Sequence, residues 1–129
     1  PPPLQSDPER LEQVFINIFS NAVYSIKERR PTGGRIRLKT SRTDGMVEVM
    51  ISDNGTGIPE KMHDKIFELF YTTKPSGKGT GLGLPICRNI IEKLGGDISF
   101  KSQPGVGTAF FVRLPVHQDM AAVSGGETG

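Results

Sequence analysis

Glycine is concentrated in the middle of this 129-residue chain, where a single domain of this size must build its packed core. Ten of the 16 glycines lie between Gly55 and Gly107. Glycine weakens the interiors of helices and strands, and it is favoured where a turn or the close approach of another group requires it. We therefore expect the glycine-rich segments to form the functional site.

Composition excludes several classes of function. Lys and Arg number 16 against 14 Asp and Glu, and this net charge of +2 is too small and too dispersed for binding nucleic acid or a membrane surface. The single cysteine, Cys87, allows no internal disulfide and leaves a zinc site short of ligands, which is typical of an intracellular protein. No apolar run approaches the roughly 20 residues of a membrane span. We expect a cytoplasmic protein with no direct contact to nucleic acid or membrane.

Hydrophobic periodicity predicts two long helices and four strands. The predicted elements are a helix over 7–30, a hairpin with one buried face that turns at Asp44-Gly45, a short helical segment over 60–67, a loop over 71–81, a second helix closed by Gly95-Gly96, and two strands joined by 104–107. This order lacks a regular alternation of strands and helices. It predicts an α/β (α+β) fold, a two-layer sandwich with helices on one face of a mixed, largely antiparallel sheet.

The two ends of the chain lie outside the predicted core. Residues 1–6 are rich in proline and precede the first helix without an initiator Met, so we expect them to be the end of a linker from an upstream domain. The domain itself is predicted to span 7–116. Residues 117–129 have no core pattern and are predicted to be a disordered tail.

Two asparagines, Asn17 and Asn21, lie four residues apart on one face of the first helix, beside the apolar stripe. Most mid-helix asparagines are simply exposed. Burying a carboxamide without a partner costs about 1–3 kcal/mol, so a pair at a core margin also suits a ligand oxygen or a cation. An amide oxygen is a hard ligand of the kind that Mg²⁺ accepts.

A carboxylate, Asp53, ends the second strand and is followed by Asn-Gly-Thr-Gly-Ile. An ordinary Asn-Gly turn explains part of this pattern. The functional interpretation is that Gly55 and Gly57 let a flat ligand approach the backbone while Ile58 covers its ring. Asp53 would then accept a hydrogen bond from an exocyclic amine, which selects adenine.

Alternating glycines over 77–83 lead directly into the second helix. Flexible linkers are also glycine-rich, but they do not run into an amphipathic helix. Free N–H groups at a helix N-terminus form an anion site, and a phosphate chain fits it. The segment matches neither the P-loop nor the dinucleotide fingerprint. Lys74 and Lys78 flank the proposed phosphate site, although most loop lysines are only solvated.

Other reactive residue types have simpler interpretations. Phe67 and Phe70 are predicted to pack in the core, and Cys87 is predicted to be semi-buried packing rather than a nucleophile. His63 and His117 have no partner base and no metal-ligand spacing, so we expect both at the surface.

Taken in this order, the segments closely resemble the ATP-binding catalytic domain of sensor histidine kinases, within the gyrase/Hsp90/histidine kinase/MutL superfamily. The resemblance runs over about 7–115. The segment with Asn17 and Asn21 resembles the N box, 53–57 the first glycine box, 67–70 the F box, 79–83 the second glycine box, and 105–108 the final glycine-Thr element. The sequence over 70–75, Phe-Tyr-Thr-Thr-Lys-Pro, is most similar to that of nitrogen-regulation-type histidine kinases.

The resemblance implies a role for each matching residue. Asp53 would bind the adenine amine, Thr108 would assist through water, Asn21 would ligate Mg²⁺, and Asn17 would support that site beneath a flexible lid over 71–80. The candidate cofactor-binding residues for ATP are Asn21, Asp53, Gly55, Gly57, Ile58, Lys78, Gly79, Thr80, Gly81, Leu82, Gly83, Leu84 and Thr108. The candidate catalytic residues are Asn17, Asn21 and Lys74, and the candidate metal ligand is Asn21. The basic residue that many family members carry three positions after the second asparagine is Tyr24 here.

Asn17 separates two classes of function. In the ATPase branch of the superfamily, which resembles gyrase and MutL, a Glu four residues before the metal-binding asparagine is the general base; the amide of Asn17 cannot take a proton. We therefore expect slow hydrolysis, and transfer of the γ-phosphoryl group to a His on a separate dimerisation domain, with a response regulator engaged through the full-length protein. Neither His63 nor His117 lies in an acceptor helix, so this chain alone should not autophosphorylate. The alternatives are a nucleotide-binding module without transfer activity and an anti-sigma-type Ser/Thr kinase.

Overall fold

Two α-helices and a four-stranded sheet make up residues 7–29, 32–68 and 83–116, which are the residues that the computed structural model describes. The elements are α1 (Asp7–Arg29), β1 (Ile36–Thr43), β2 (Met46–Asp53), a 3₁₀ turn (Glu60–Met62), α2 (Gly83–Lys93), β3 (Asp97–Gln103) and β4 (Gly107–Pro115). The predicted helices and strands are confirmed. The helical segment predicted over 60–67 is shorter than expected, because regular hydrogen bonding ends at Met62 and turns follow.

The sheet has the strand order β1-β2-β4-β3, and all of its described pairings are antiparallel. The parallel component of the expected mixed sheet does not occur among these strands. Helix α1 packs on β2, α2 packs on β3 and β4, and the two helices pack against each other. The two-layer α/β arrangement is therefore confirmed. Within the described residues, no helix combines the length and the apolar character needed to cross a membrane.

Three rows of side chains cross the helix-covered face of the sheet, because alternate residues of a strand share a face and the strand register aligns them. The first two rows are apolar and the third is polar: Val49, Val112 and Ile98; Ile51, Phe110 and Phe100; Asp53, Thr108 and Ser102. The apolar rows join the core that Val14 and Ile18 of α1 and Ile91 of α2 complete from above. The polar row therefore lies at one end of the core, where β2 ends and β4 begins.

Strand β1 departs from the predicted hairpin with one buried face. Leu38 lies opposite Ile51, which is 1% exposed, yet Leu38 itself is 59% exposed. The reason is topological, since β1 is the edge strand and the helices pack mainly on the other three strands. The turn at Asp44-Gly45 is confirmed, and its two left-handed residues have φ of 52° and 77°, as a tight two-residue hairpin requires.

Helix α2 buries two residues of its apolar face completely. Cys87 and Ile91 are both 0% exposed, so the thiol that the sequence predicted as semi-buried is fully buried. Burial also raises the pKa of Cys87, which keeps it in the unreactive thiol form. The prediction that Cys87 packs rather than reacts agrees with this environment.

Candidate functional site

The Asp53 carboxylate lies half-buried at the end of β2. Its Oδ1 accepts a hydrogen bond from the backbone N–H of Gly55 at 2.8 Å, and the backbone N–H of Thr108 also donates to the carboxylate. Burial raises the pKa of Asp53 above its ordinary value of 3.8, although these two N–H donors act in the opposite direction. The carboxylate is thus an under-solvated acceptor that a further donor would stabilise.

Thr108 lies directly opposite Asp53 on β4 and is the one buried polar side chain among the described residues, at 6% exposed. Its Oγ1 lies 2.8 Å from Oγ of Ser102, its neighbour on β3. The Ser102 hydroxyl also accepts the backbone N–H of Ile58 at 2.7 Å and donates to the carbonyl of Gly107 at 3.2 Å. One serine therefore ties together β3, the start of β4 and the loop that follows β2.

Both backbone polar groups of Ile58 are hydrogen-bonded to side chains. Its N–H donates to Ser102, and its carbonyl accepts a hydrogen bond from Nε2 of His63 at 2.9 Å. The His63 ring also packs edge-on against Phe100, with centroids 5.0 Å apart. The prediction that His63 is a surface residue is therefore wrong, because the turn over 60–63 folds the imidazole back onto the sheet. The Ile58 side chain packs against the core beside the polar row.

Gly55 and Gly57 are both required by close contacts within the protein. A Cβ on Gly55 would lie 2.6 Å from the backbone carbonyl carbon of Ser25 on α1. Gly57 has φ of +76°, and a Cβ there would lie 2.8 Å from the carbonyl carbon of Gln103. These contacts account for glycine at both positions. Contact between their backbone and a flat ligand stays a prediction.

The C-terminal part of α1 holds the turn that follows Asp53. Ser25 Oγ accepts the backbone N–H of Thr56 at 2.9 Å. One turn later, Nη1 of Arg29 donates to the carbonyls of Asn54, Gly55 and Val106, at 3.1, 3.0 and 3.1 Å. Ser25 and Arg29 continue, at four-residue spacing, the helix face that carries Asn17 and Asn21, so one side of α1 serves both parts of the site.

The N-terminus of α2 lies beside Asn17. A Cβ on Gly83, the first residue of α2, would lie 3.9 Å from Cγ of Asn17. The Nδ2 group of Asn17 donates to Sγ of Cys87 at 3.5 Å, which fixes the amide against α2. Asn21 is half-buried one turn further along α1. Helix α2 therefore begins next to the first of the two asparagines, and anion binding at this point stays a prediction.

The comparisons with known proteins identify the family. Residues 6–118 match the family model described as "Histidine kinase-, DNA gyrase B-, and HSP90-like ATPase". The chain belongs to this ATPase family. This assignment supports ATP as the ligand of the domain.

Named relatives of this ATPase family domain are histidine kinases. Sporulation kinase C of Bacillus subtilis (strain 168) is 38% identical over 116 residues, which are 90% of this chain and 26% of that kinase. The catalytic domain of histidine kinase ThkA, in a nucleotide-free form, matches with a TM-score of 0.67 and 38% identity over 82% of this chain and 66% of that one. Full-length ShkA in complex with AMPPNP matches with a TM-score of 0.70 and 31% identity over 82% of this chain and 21% of that one. The chain thus spans about a quarter of the length of Sporulation kinase C.

The described structure brings together part of the site predicted for this ATPase family domain. Asp53 and Thr108 lie side by side in the polar row, with Gly55, Gly57 and Ile58 in the loop above it, and Gly83 and Leu84 begin α2 beside Asn17. The lid over 71–80 and six site residues lie outside the described residues: Lys74, Lys78, Gly79, Thr80, Gly81 and Leu82.

Three residues that hold the site together, Ser102, Ser25 and Arg29, were not predicted from the sequence. A signal for Ser102 was available, because alternation from Phe100 places Ser102 on the same strand face. A signal for the other two was the four-residue spacing that continues from Asn17 and Asn21 along one helix face. Neither signal identifies a hydrogen-bond partner, which depends on the tertiary fold.

The residues present are compatible with ATP and with a magnesium ion. Asp53 offers an under-solvated acceptor to an exocyclic amine, and Asn21 carries an amide oxygen, the hard donor that suits Mg²⁺. Among the described residues, no group of three His, Cys, Asp or Glu side chains could hold a metal ion. A magnesium ion bound mainly by phosphates and water needs only one or two protein ligands, so an asparagine is sufficient.

Proposed function

We propose that this chain is the ATP-binding catalytic domain of a sensor histidine kinase. It binds Mg-ATP and donates the γ-phosphoryl group to a histidine on a separate dimerisation domain. A response regulator is engaged through the full-length protein. The observation that carries the proposal is the polar row of Asp53, Thr108 and Ser102 at the end of the core, in a chain of this ATPase family. On this proposal the domain works in the cytoplasm, where ATP is available.

The adenine end of the site is the polar row. The Asp53 carboxylate accepts a hydrogen bond from the exocyclic amine of the base, and Thr108 assists this recognition directly or through a water. Ile58 covers one face of the ring. Its position is fixed because its backbone N–H and carbonyl are hydrogen-bonded to Ser102 and His63. A pair of acceptors at this position favours an amine over a carbonyl oxygen, so the site prefers adenine to guanine.

The phosphate end lies between α1 and the start of α2. The side chain of Asn21 would hold the magnesium ion, and Asn17 keeps α1 and α2 at a fixed separation through its hydrogen bond to Cys87. The N-terminal N–H groups at Gly83 and Leu84 offer hydrogen bonds to phosphate oxygens. Lys74 and Lys78 of the lid would add further donors, and so would the backbone N–H groups over 79–82. A bound magnesium ion would neutralise charge on the transferring phosphoryl group.

Transfer to another domain is favoured over hydrolysis because the described residues of the phosphate end, Asn17, Asn21 and the start of α2, supply no general base. Asn17 stands where the ATPase branch would carry a glutamate, and its amide cannot accept a proton from water. Asp53 is the acidic residue of the site, and it is committed to the adenine end. Catalysis then consists of holding the γ-phosphoryl group in line with the incoming histidine and stabilising charge as it develops.

The test is phosphoryl transfer in trans. The domain is mixed with γ-labelled ATP, magnesium and the dimerisation domain of the full-length protein, and the acid lability of the labelled product is measured. Acid-labile, base-stable phosphohistidine on the dimerisation domain is expected, with no label on the catalytic domain alone. Acid-stable phosphoserine would indicate an anti-sigma-type kinase, and ATP binding without any label would indicate a nucleotide-binding module.

Two variants sharpen this test. Asn21→Ala removes the proposed magnesium ligand and is expected to abolish labelling, while Asn89→Ala changes an exposed asparagine on α2 and serves as the matched control. Equal labelling by both variants would contradict the role of Asn21.

A further inference from the structure

We propose that Ser102 is a positioning residue that selects for a 6-amino purine, because it fixes the direction of the Thr108 hydroxyl. The inference rests on the proposed nucleotide-binding function and adds to it the residue that sets base selectivity. Ser102 touches neither end of the nucleotide in this account. It acts through Thr108, with which it shares a hydrogen bond of 2.8 Å.

The direction of each hydroxyl proton follows from the three partners of Ser102. The Ile58 N–H is a donor only, and the Gly107 carbonyl is an acceptor only, at 2.7 and 3.2 Å from the Ser102 oxygen. A serine hydroxyl has one proton and two lone pairs. If Ser102 gives its proton to Gly107, its oxygen accepts from Ile58 and has a second lone pair for the Thr108 O–H. This is the one arrangement in which all three contacts are hydrogen bonds.

The same arrangement makes Thr108 an acceptor toward any further partner. Its proton points to Ser102, so only lone pairs of its oxygen remain. Thr108 is 6% exposed, and a misdirected hydroxyl in so dry a position would leave a bond unmade at a cost of about 1–3 kcal/mol. Because Thr108 is buried, a Thr108 O–H that points away from Ser102 lowers the stability of the site.

Asp53 completes the selection. It lies opposite Thr108 across the β2–β4 pair, so the two side chains share one face and one row of the sheet. An ionised carboxylate can only accept. A 6-amino group that contacts both side chains directly satisfies two acceptors, while the oxygen of a 6-oxo group offers neither acceptor a proton. The alternative hydroxyl direction, with Thr108 free to donate, would accommodate a 6-oxo group at one of the two positions.

The experiment compares the dissociation constants of ADP and IDP, whose purines differ at C6, amino against oxo, and consequently at N1, an acceptor in ADP and an N–H donor in IDP. Calorimetric titrations are run with the wild-type chain, Ser102→Ala, Ser102→Thr and Ser99→Ala. Ser99→Ala is the matched control, because Ser99 is exposed on the opposite face of the same strand. Ser102→Thr keeps the hydroxyl and should preserve selectivity.

We expect the wild-type chain to prefer ADP to IDP by about 100-fold. Ser102→Ala should narrow this ratio about tenfold, and Ser102→Thr and Ser99→Ala should keep the wild-type ratio. A purely structural role for Ser102 would weaken both nucleotides together and leave the ratio unchanged, and that result would overturn the inference. If Ser102→Ala does not fold, Ser102→Cys provides the same comparison with a weak hydrogen-bonding group of similar shape.

The two proposals fail in different ways. A wild-type chain that binds ADP no better than IDP would overturn the adenine site and this inference together. A wild-type chain that selects ADP, with Ser102 variants that select it equally well, would overturn only the role of Ser102.

Discussion

Asp53 and Thr108 face each other across the β2–β4 pair, and the backbone N–H of Thr108 donates to the Asp53 carboxylate. The N–H of Gly55 donates to the same carboxylate, yet burial still raises its pKa above the ordinary value of 3.8. The fold therefore maintains an ionised group that it solvates incompletely. Incomplete solvation of the carboxylate lowers the stability of the empty protein, and a ligand that supplies a further hydrogen-bond donor would offset this loss.

Removing the charge of Asp53 should stabilise the empty protein. The pKa of Asp53 is raised in the folded protein, so between pH 3.8 and that raised pKa the folded protein binds more protons than the unfolded chain. The free energy of unfolding therefore falls as the pH rises through this interval. Asp53→Asn should therefore unfold at a higher temperature than the wild type near pH 7, with the gain smallest below pH 3.8. Thermal unfolding at several pH values measures this difference.

The control for that experiment is Asp97→Asn. Asp97 forms an exposed pair with Arg113 at 3.1 Å, and such surface pairs contribute about 0–1 kcal/mol. Asp97→Asn should leave the unfolding temperature unchanged or lower it slightly. A lower unfolding temperature for Asp53→Asn near neutral pH would contradict the account.

Nucleotide affinity should fall in acid through the same group. Protonation of Asp53 removes an acceptor from the adenine amine, so ADP binding weakens as the pH falls through the raised pKa of Asp53. Titrations of the wild type and of Asp53→Asn at each pH separate this effect from the ionisation of ADP itself, since ADP contributes equally to both. A ratio of affinities that does not change with pH would exclude Asp53 as the titrating group.

Gly107→Ala should be more destabilising than Gly105→Ala in the same turn. Gly107 has φ of +148°, and a Cβ there would lie 3.0 Å from the carbonyl carbon of Asp53, whereas Gly105, with φ of +79°, faces open space. Backbone strain alone costs Gly105→Ala about 1 kcal/mol, and the steric clash raises the cost at Gly107 to about 3 kcal/mol. Urea unfolding of the two variants tests this order, which equal losses would contradict.

Arg29→Met should loosen the turn that follows Asp53. The guanidinium donates to three backbone carbonyls, and their loss from a largely exposed site should cost about 1 kcal/mol of stability and weaken ADP binding several-fold. Arg88→Met is the control, because the contacts of Arg88 involve no residue of that turn: an exposed helical pair with Glu92 at 3.3 Å, worth a few tenths of a kcal/mol, and a cation–π contact 5.2 Å from the centroid of the Phe67 ring. ADP affinities that are the same in both variants would show that Arg29 does not position the turn.

Local patterns in the sequence predicted the secondary structure and the apolar rows. Val112 and Phe110 alternate along β4 as expected of a strand with one covered face, and both are buried. The same alternation misplaced Leu38, because a repeat of two residues does not distinguish an edge strand from a central one. Burial of a strand depends on which strands the helices cover, and that is a property of the whole fold.

The chemistry of the site was predictable only in part. Asp53 was predicted from its position at the end of a strand before two glycines, and Thr108 from the family resemblance; the strand register then places them opposite each other. Ser102 and Arg29 act through hydrogen bonds to residues that are distant in the chain, such as Ile58 and Val106. No local pattern encodes those partners, since they meet only after β2, β4 and β3 have paired.

One titration measures whether Asp53 binds the adenine base of ATP. The dissociation constant of Mg-ATP is measured calorimetrically for the wild-type chain and for Asp53→Asn, whose folds are first compared by thermal unfolding. We expect Asp53→Asn to stay folded and to bind Mg-ATP at least about 30-fold more weakly, because a charged hydrogen bond to the amine is lost. Equal affinity in a folded Asp53→Asn would contradict this expectation.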